Sequence, residues 1–369
     1  MLINEIIKLL EATAPPALQE DYDNAGLITG NAQWECSGAI IALDVTEEVV
    51  KEAVEKKCNL IIAHHPVIFK GLKKITGSNY VEQTIITAIK NDIAIYAVHT
   101  NLDNVIVGVN GKIADMLGLV NRGILAPKQN LLEKMAVFVP AGDKEKLQEA
   151  LFAAGAGNIG NYSECSFSIE GLGSFKPGPG TDPYVGEMGK RHLEPEVKIE
   201  VIFPVWMKKQ IVAAMMAAHP YEQVAYDIYS LENQYQETGA GLLGELSEAV
   251  PEAEILEQLQ KIFKIPVIKH TKFLGKPIKT IALCGSAGSF LTGNAIATGA
   301  DLYITSDIKY HEFFDAGEKL VLADIGHFES EQFTIDLLFD LLSIKFPNFA
   351  VLKTVVNTNP VSYFNRMAQ

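Results

Sequence analysis

Six side chains stand out by type and spacing: His64, His65, His99, Asp103, His327 and Glu331. Each follows shortly after a predicted strand. Imidazole and carboxylate together form the donor set of zinc, iron or manganese. His99 and Asp103 share the spacing His-x-x-x-acid with His327 and Glu331. On a helix, residues i and i+4 lie on one face and reach one centre. In open α/β sheets, ligands bind outside the carboxyl ends of the strands, where all six residues are predicted to lie. Adjacent histidines on a regular strand point to opposite faces, so His64 and His65 serve neighbouring ions only if the chain leaves strand geometry before Pro66.

The elements that must hold these groups are legible as apolar runs. Segments 38–45, 59–63 and 93–98 read as buried strands separated by helices, with Thr46 as a helix cap. Segments 279–285, 299–305 and 319–326 repeat this plan. Unbroken apolar strands alternating with helices predict parallel sheets covered on both faces. The stretch 58–66 aligns with 300–308, and 97–104 with 325–332, which predicts a duplicated α/β core. The middle differs. Strands at 134–140, near 166, at 197–204 and at 224–231, with two helices between them, give the order βαββαβ of a split ferredoxin-like unit. The expected division is a discontinuous core of 1–126 and 239–369 interrupted by an inserted α+β domain, 127–238.

Composition narrows the function. The chain has 369 residues, 48% hydrophobic and 21% charged, enough for two or three cores. Its net charge of −14 argues against generic binding to nucleic acid or anionic membranes. The four cysteines are scattered and encode neither a disulfide framework nor a Cys-type zinc site. With no signal peptide and no apolar run long enough to span a bilayer, the expectation is a cytoplasmic protein. Among weaker signals, GAGLLG at 239–244 matches G-x-G-x-x-G but reads as a hinge or turn. GSAGS at 285–289 is either a phosphate-holding turn or a tight strand-to-helix connection. Asp23 and Asn24 either cap a turn or reach the cavity. Asp307, Lys309 and His311 are placed to orient the ligands or to face solvent. His219 reads as a helix terminator, and Met207, Met215 and Met216 as core filling.

With DNAGL (23–27), IIAHHPVIF (61–69), VHTNLDN (98–104), TSDIKYHE (305–312) and GHFESE (326–331) in view, the sequence resembles the Nif-three-like family, labelled GTP cyclohydrolase 1 type 2 homologues. The segment HPYEQVAYDIY (219–229) is similar to the PII/CutA-like insert of the longer bacterial members. The resemblance implies a dinuclear centre of two divalent ions per subunit, zinc foremost, with iron or manganese as alternatives. Its ligands fall on His64, His65, Asp103, His327 and Glu331, with Glu331 the candidate bridge. His99 falls beside the metals as a proton-transfer or phosphate-orienting catalytic group. The resemblance also implies a ring-shaped homohexamer. The expected activity is metal-dependent hydrolysis of a nucleotide-like or phosphorylated substrate. The alternatives are storage, sensing or delivery of iron or zinc, and an oligomeric interaction or regulatory scaffold.

Overall fold

The computed structural model describes residues 1–364. The chain forms two compact units, Met1–Pro127 with Glu237 onward, and Lys128–Gln236.

In the first unit, one sheet has the strand order Gly26–Thr29, Ala94–Ala97, Leu60–Ala63, Ala39–Ala42, Val351–Lys353. All residues of Ala39–Ala42, Leu60–Ala63 and Ala94–Ala97 are buried. Strands with no polar face must be covered on both sides, and burial of that apolar area is the main stabilising term. Helices Glu47–Glu55 and Tyr80–Lys90 place Val49, Val50, Ala53, Ile85 and Ala88 in one core with Ile40, Ile61 and Ile95. The Thr46 hydroxyl accepts from the Val49 N–H, as the sequence predicted, and Asn79 caps the second helix in the same way.

The other sheet runs Lys269–His270, Val321–Asp324, Leu302–Ser306, Ile278–Ala287, Tyr235–Val250, Val120–Lys128. The first sheet therefore contains four successive parallel strands and the second three, each run closed on one side by a short antiparallel strand. The repeat seen in the sequence is a repeat of strand order: Leu60–Ala63 corresponds to Leu302–Ser306, and Ala94–Ala97 to Val321–Asp324.

Several strands escaped the sequence reading. Gly26–Thr29, Lys269–His270 and Val351–Lys353 are short, and Val120–Lys128 is half-exposed and partly polar, so none carries a clear apolar period. The GAGLLG segment is neither hinge nor turn. It lies within the 16-residue strand Tyr235–Val250, pairing with Ile278–Ala287. Gly241 has φ of +67°, and a Cβ there would come within 3.0 Å of the Leu283 carbonyl, so glycine is required by close backbone approach.

In the second unit, strands Leu132–Pro140, Ser166–Phe175, His192–Pro204 and Tyr226–Leu231 form an antiparallel sheet. Its order is 166–175, 192–204, 132–140, 226–231. Helices Lys144–Ala153 and Lys208–Ala218 bury Leu147, Leu151, Ile211 and Met215 against Met135, Val137, Ile199 and Val201. Met207 packs against this core, but Met216 is exposed, because it lies one position round the helix from Met215.

Candidate metal centre

The groups that sequence reasoning selected come together at the carboxyl ends of the parallel strands of the first unit. His64 and His65 follow Leu60–Ala63, and His99 follows Ala94–Ala97. His327 opens the short helix His327–Glu331 beyond Val321–Asp324. Asp103 closes the helical turn Thr100–Asp103. The i,i+4 spacing acts as expected in the second half, with His327 Nε2 3.2 Å from Glu331 Oε2. In the first half it does not: His99 caps its turn and its ring instead joins His64 and His65.

Glu331 is fully buried and divides the cluster. Its Oε1 lies 3.5 Å from His64 Nε2, which is itself 3.6 Å from Asp103 Oδ1. Its Oε2 lies 3.0 Å from His65 Nε2 and 3.2 Å from His327 Nε2. The donor atoms of His64, Asp103 and Glu331 lie within 4.8 Å of one another, as do those of His65, His327 and Glu331. Buried polar atoms are ordinarily hydrogen-bonded. Here His64 Nε2, Asp103 Oδ1 and both Glu331 oxygens are buried without a hydrogen bond.

The far nitrogen of each imidazole is held. His64 Nδ1 pairs with the Val98 carbonyl at 2.8 Å, His65 Nδ1 with Asp44 Oδ1 at 2.7 Å, and His327 Nδ1 with Asp307 Oδ2 at 2.7 Å. Each bond selects the tautomer with Nδ1–H and directs the Nε2 lone pair inward, the usual support for a metal-ligating histidine. Two such lone pairs, on His65 and His327, would face each other at 3.3 Å. That arrangement needs a cation or protons between the rings. Without metal, protons take the place. Although burial opposes charge, the Asp44 and Glu331 carboxylates push His65 up to about 10. His327 is likewise pushed up to about 9 against its burial by Glu331 and Asp307. Asp103 is raised by burial and by the neighbouring Glu331 charge. Glu331, despite burial, is held well below the usual carboxylate range by His64, His327 and His65. The donor set fits a divalent metal, and its unsatisfied atoms converge where one would sit.

His99 stands in a different chain of contacts. Its Nδ1 pairs with Asp23 Oδ1 at 2.7 Å, and Asp23 Oδ2 accepts from the Thr100 N–H and hydroxyl. Burial would raise Asp23, but these bonds from His99 and Thr100 bring it down to about 2. Of the two open readings for Asp23, the turn fits better: its buried side chain is outside the cavity wall, accepts from the Thr100 N–H at the start of the Thr100–Asp103 turn, and supports His99 from behind. Asn24 instead donates to the Ile68 carbonyl.

Asp44 escaped sequence analysis. The available signal was its position, an acid at the carboxyl end of an apolar strand, equivalent in placement to the histidines. Asp307 does orient a ligand ring. It does so from φ of +56°, a left-handed conformation that aspartate tolerates better than most residues. Gly326 sits at φ of +86°, where a Cβ would lie 2.3 Å from the Glu329 carboxylate, so only glycine starts the helix that aims His327 and Glu331 together. The GSAGS turn is no phosphate cradle. Its Gly285, Ser286 and Gly288 amides already donate to Asn110, Ser330 and Thr305. His219 ends its helix as expected, with Nε2 on the Phe138 carbonyl.

A cavity of about 920 Å³ opens beside the cluster, with His65, His99, Asp103 and His327 in its wall and Tyr22, Phe69 and Phe290 around them. No helix among the described residues is long and apolar enough to cross a membrane.

Comparison with known proteins agrees with these features. The family model Duf34/NIF3 (NGG1p interacting factor 3) matches residues 1–360. A Halalkalibacterium halodurans protein named GTP cyclohydrolase 1 type 2 homolog is 39% identical over 363 residues, covering 97% of this chain and 98% of its own. A Bacillus subtilis protein of the same name is 39% identical over 326 residues, covering 88% and 87%. A crystal structure of a Bacillus cereus protein related to NIF3 superposes with a TM-score of 0.86 at 38% identity, covering 99% of both chains. On the strength of a match that spans the whole core and the second unit alike, the chain belongs to the Duf34/NIF3 family.

Proposed function

We propose that this chain holds two divalent cations bridged by Glu331 and hydrolyses a phosphorylated or nucleotide-like substrate in the adjoining cavity. One observation carries the reading: the two oxygens of a single buried, unbonded carboxylate face two separate donor sets. His64 and Asp103 complete one set, His65 and His327 the other. Zinc is the first expectation from the histidine content, with iron or manganese as alternatives. Such a pair, when bound, supplies Lewis acidity and a hydrolytic nucleophile at neutral pH.

The chain's own residues do the rest. Asp44, Asp307 and the Val98 carbonyl fix the imidazole rings so that little reorganisation accompanies ligation. His99, neither half of the bridged pair, has its Nδ1 anchored on Asp23, which keeps Nε2 free beside the cluster to move a proton or to hold a phosphate oxygen. The names of the curated relatives favour a nucleotide among the candidate substrates. The aromatic walls Tyr22, Phe69 and Phe290 offer faces for a planar ring.

The test is to load the purified protein with Zn²⁺, Mn²⁺ or Fe²⁺ and count ions by elemental analysis. A panel of nucleotides and phosphoesters is then screened with wild type and His64→Ala. Two ions per chain and turnover that His64→Ala abolishes are expected. Equal turnover by both proteins refutes the hydrolase. Two exchangeable ions with no turnover would support metal delivery instead, a reading favoured by the partly exposed side chain of His327. The ring-shaped homohexamer belongs to the same proposal, and light scattering should then read six times the chain mass.

A further inference from the structure

The second unit has a cavity of its own, of about 270 Å³. That is below the range of pockets for drug-sized ligands and suits a small molecule. Its walls include the rings of Phe138, Phe175, Tyr184 and Tyr221 and the carboxylates of Glu196 and Glu222. No lysine or arginine is among its lining residues.

The rings are held as a corner rather than a stack. Tyr221 stands 5.9 Å from Phe175 and 6.2 Å from Tyr184, with planes tilted by 60° and 55°. The Tyr221 ring meets His219 edge-on, and its backbone N–H donates to His219 Nδ1. The segment carrying Tyr184 is tied by the Asp182 N–H to Glu222. Glu196 accepts from the Tyr221 hydroxyl through Oε1 at 3.1 Å. Its Oε2 lies where a Cβ on residue 173 would be, 2.0 Å away, so Gly173 makes room for the carboxylate.

We propose that this aromatic corner, with the Glu196 and Glu222 carboxylates in its wall and no cationic side chain, binds a small molecule carrying an alkylated ammonium group. Ring faces present the negative lobe of the aromatic quadrupole and attract a cation within about 6 Å of their centroids. The two wall carboxylates add negative charge, and the ring faces, which accept no conventional hydrogen bonds, suit an alkylated ammonium better than a primary one. Neutral ligands gain neither effect, and anions are repelled.

Calorimetric titration of the full chain with choline chloride, against its neutral isostere 3,3-dimethyl-1-butanol, tests this. Saturable choline binding at one site per chain is expected, with the isostere at least about tenfold weaker. Glu196→Gln and Tyr184→Ala should each weaken choline by about tenfold or more, while Tyr184→Phe stays within about threefold. Tyr184 is 57% exposed, so its variants should fold even if Glu196→Gln does not. Glu331→Gln should bind choline like wild type, which separates this site from the metal centre. No saturable binding, equal binding of the isostere, or a Tyr184→Ala protein that binds like wild type overturns the proposal.

Discussion

Asp44 offers the sharpest test of how the centre is built. It touches only one of the two proposed ion sites, through His65 Nδ1 at 2.7 Å. The other site's His64 is held by a backbone carbonyl that no Asp44 substitution alters. Asp44→Asn keeps an acceptor for the ring but removes the charge, and charge-assisted bonds are roughly twice as strong as neutral ones. Asp44→Ala removes both. Loss of such a supporting carboxylate typically costs about 10–100-fold in metal affinity, or about 1.4–2.7 kcal/mol. The expected result is a loss near tenfold for Asn and nearer a hundredfold for Ala, confined to the ion at His65, His327 and Glu331. Competition of the metal-free protein with a chromophoric chelator for Zn²⁺ resolves the two steps. One step should shift while the other stays within about threefold. If both steps weaken equally, or neither moves, Glu331 does not divide the cluster into two sites and the reasoning fails.

Metal binding should also depend on pH with a definite sign. His65 and His327 have raised values, about 10 and about 9, in the metal-free protein. Their protonated contacts stabilise the metal-free fold fully below the ordinary histidine value and fade as pH rises through those raised values. Ligation requires these rings neutral and Asp103, raised to about 8, ionised, so filling both sites with zinc near pH 7 should release about three protons, read by calorimetry in buffers of different ionisation heat. The gain in melting temperature on adding zinc should grow from pH 6 to pH 9; a flat or falling gain contradicts the assignment. Asp23 works in the opposite direction: its depressed value keeps its contribution present above about pH 4 and loses it as pH falls toward 2. Asp23→Asn should flatten that part of the metal-free acid-unfolding curve while leaving the zinc count unchanged. Gly326→Ala should destabilise by about 1–3 kcal/mol in urea unfolding, from backbone strain and the clash with Glu329. It should also weaken zinc, because the helix start that aims His327 and Glu331 must shift. A variant as stable as wild type would show that the backbone there is not constrained.

Much of this arrangement was readable from residue order alone. Apolar runs such as 59–63 and 93–98, short and set between helical segments, read as strands buried on both faces, which puts the groups that follow them at the carboxyl edge of a parallel sheet. The spacing of His327 and Glu331 puts both on one face if the segment is helical, as it is. What the linear order does not contain is which groups meet across long separations. His65 and His327 are 262 positions apart and face each other at 3.3 Å. The positions of Asp44 and Asp23 give no sign of which ring each holds, because a supporting carboxylate is defined by the nitrogen it contacts rather than by its neighbours in the chain. The same limit applies to GAGLLG, read as a hinge or turn, and to GSAGS, left open between a phosphate-holding turn and a tight connection, until their backbone partners are seen. Local periodicity sets which elements form and which side chains lie at their ends. Only packing decides which of those ends share a centre, because hydrogen bonds and charges act over a few ångströms of space and take no account of distance along the chain.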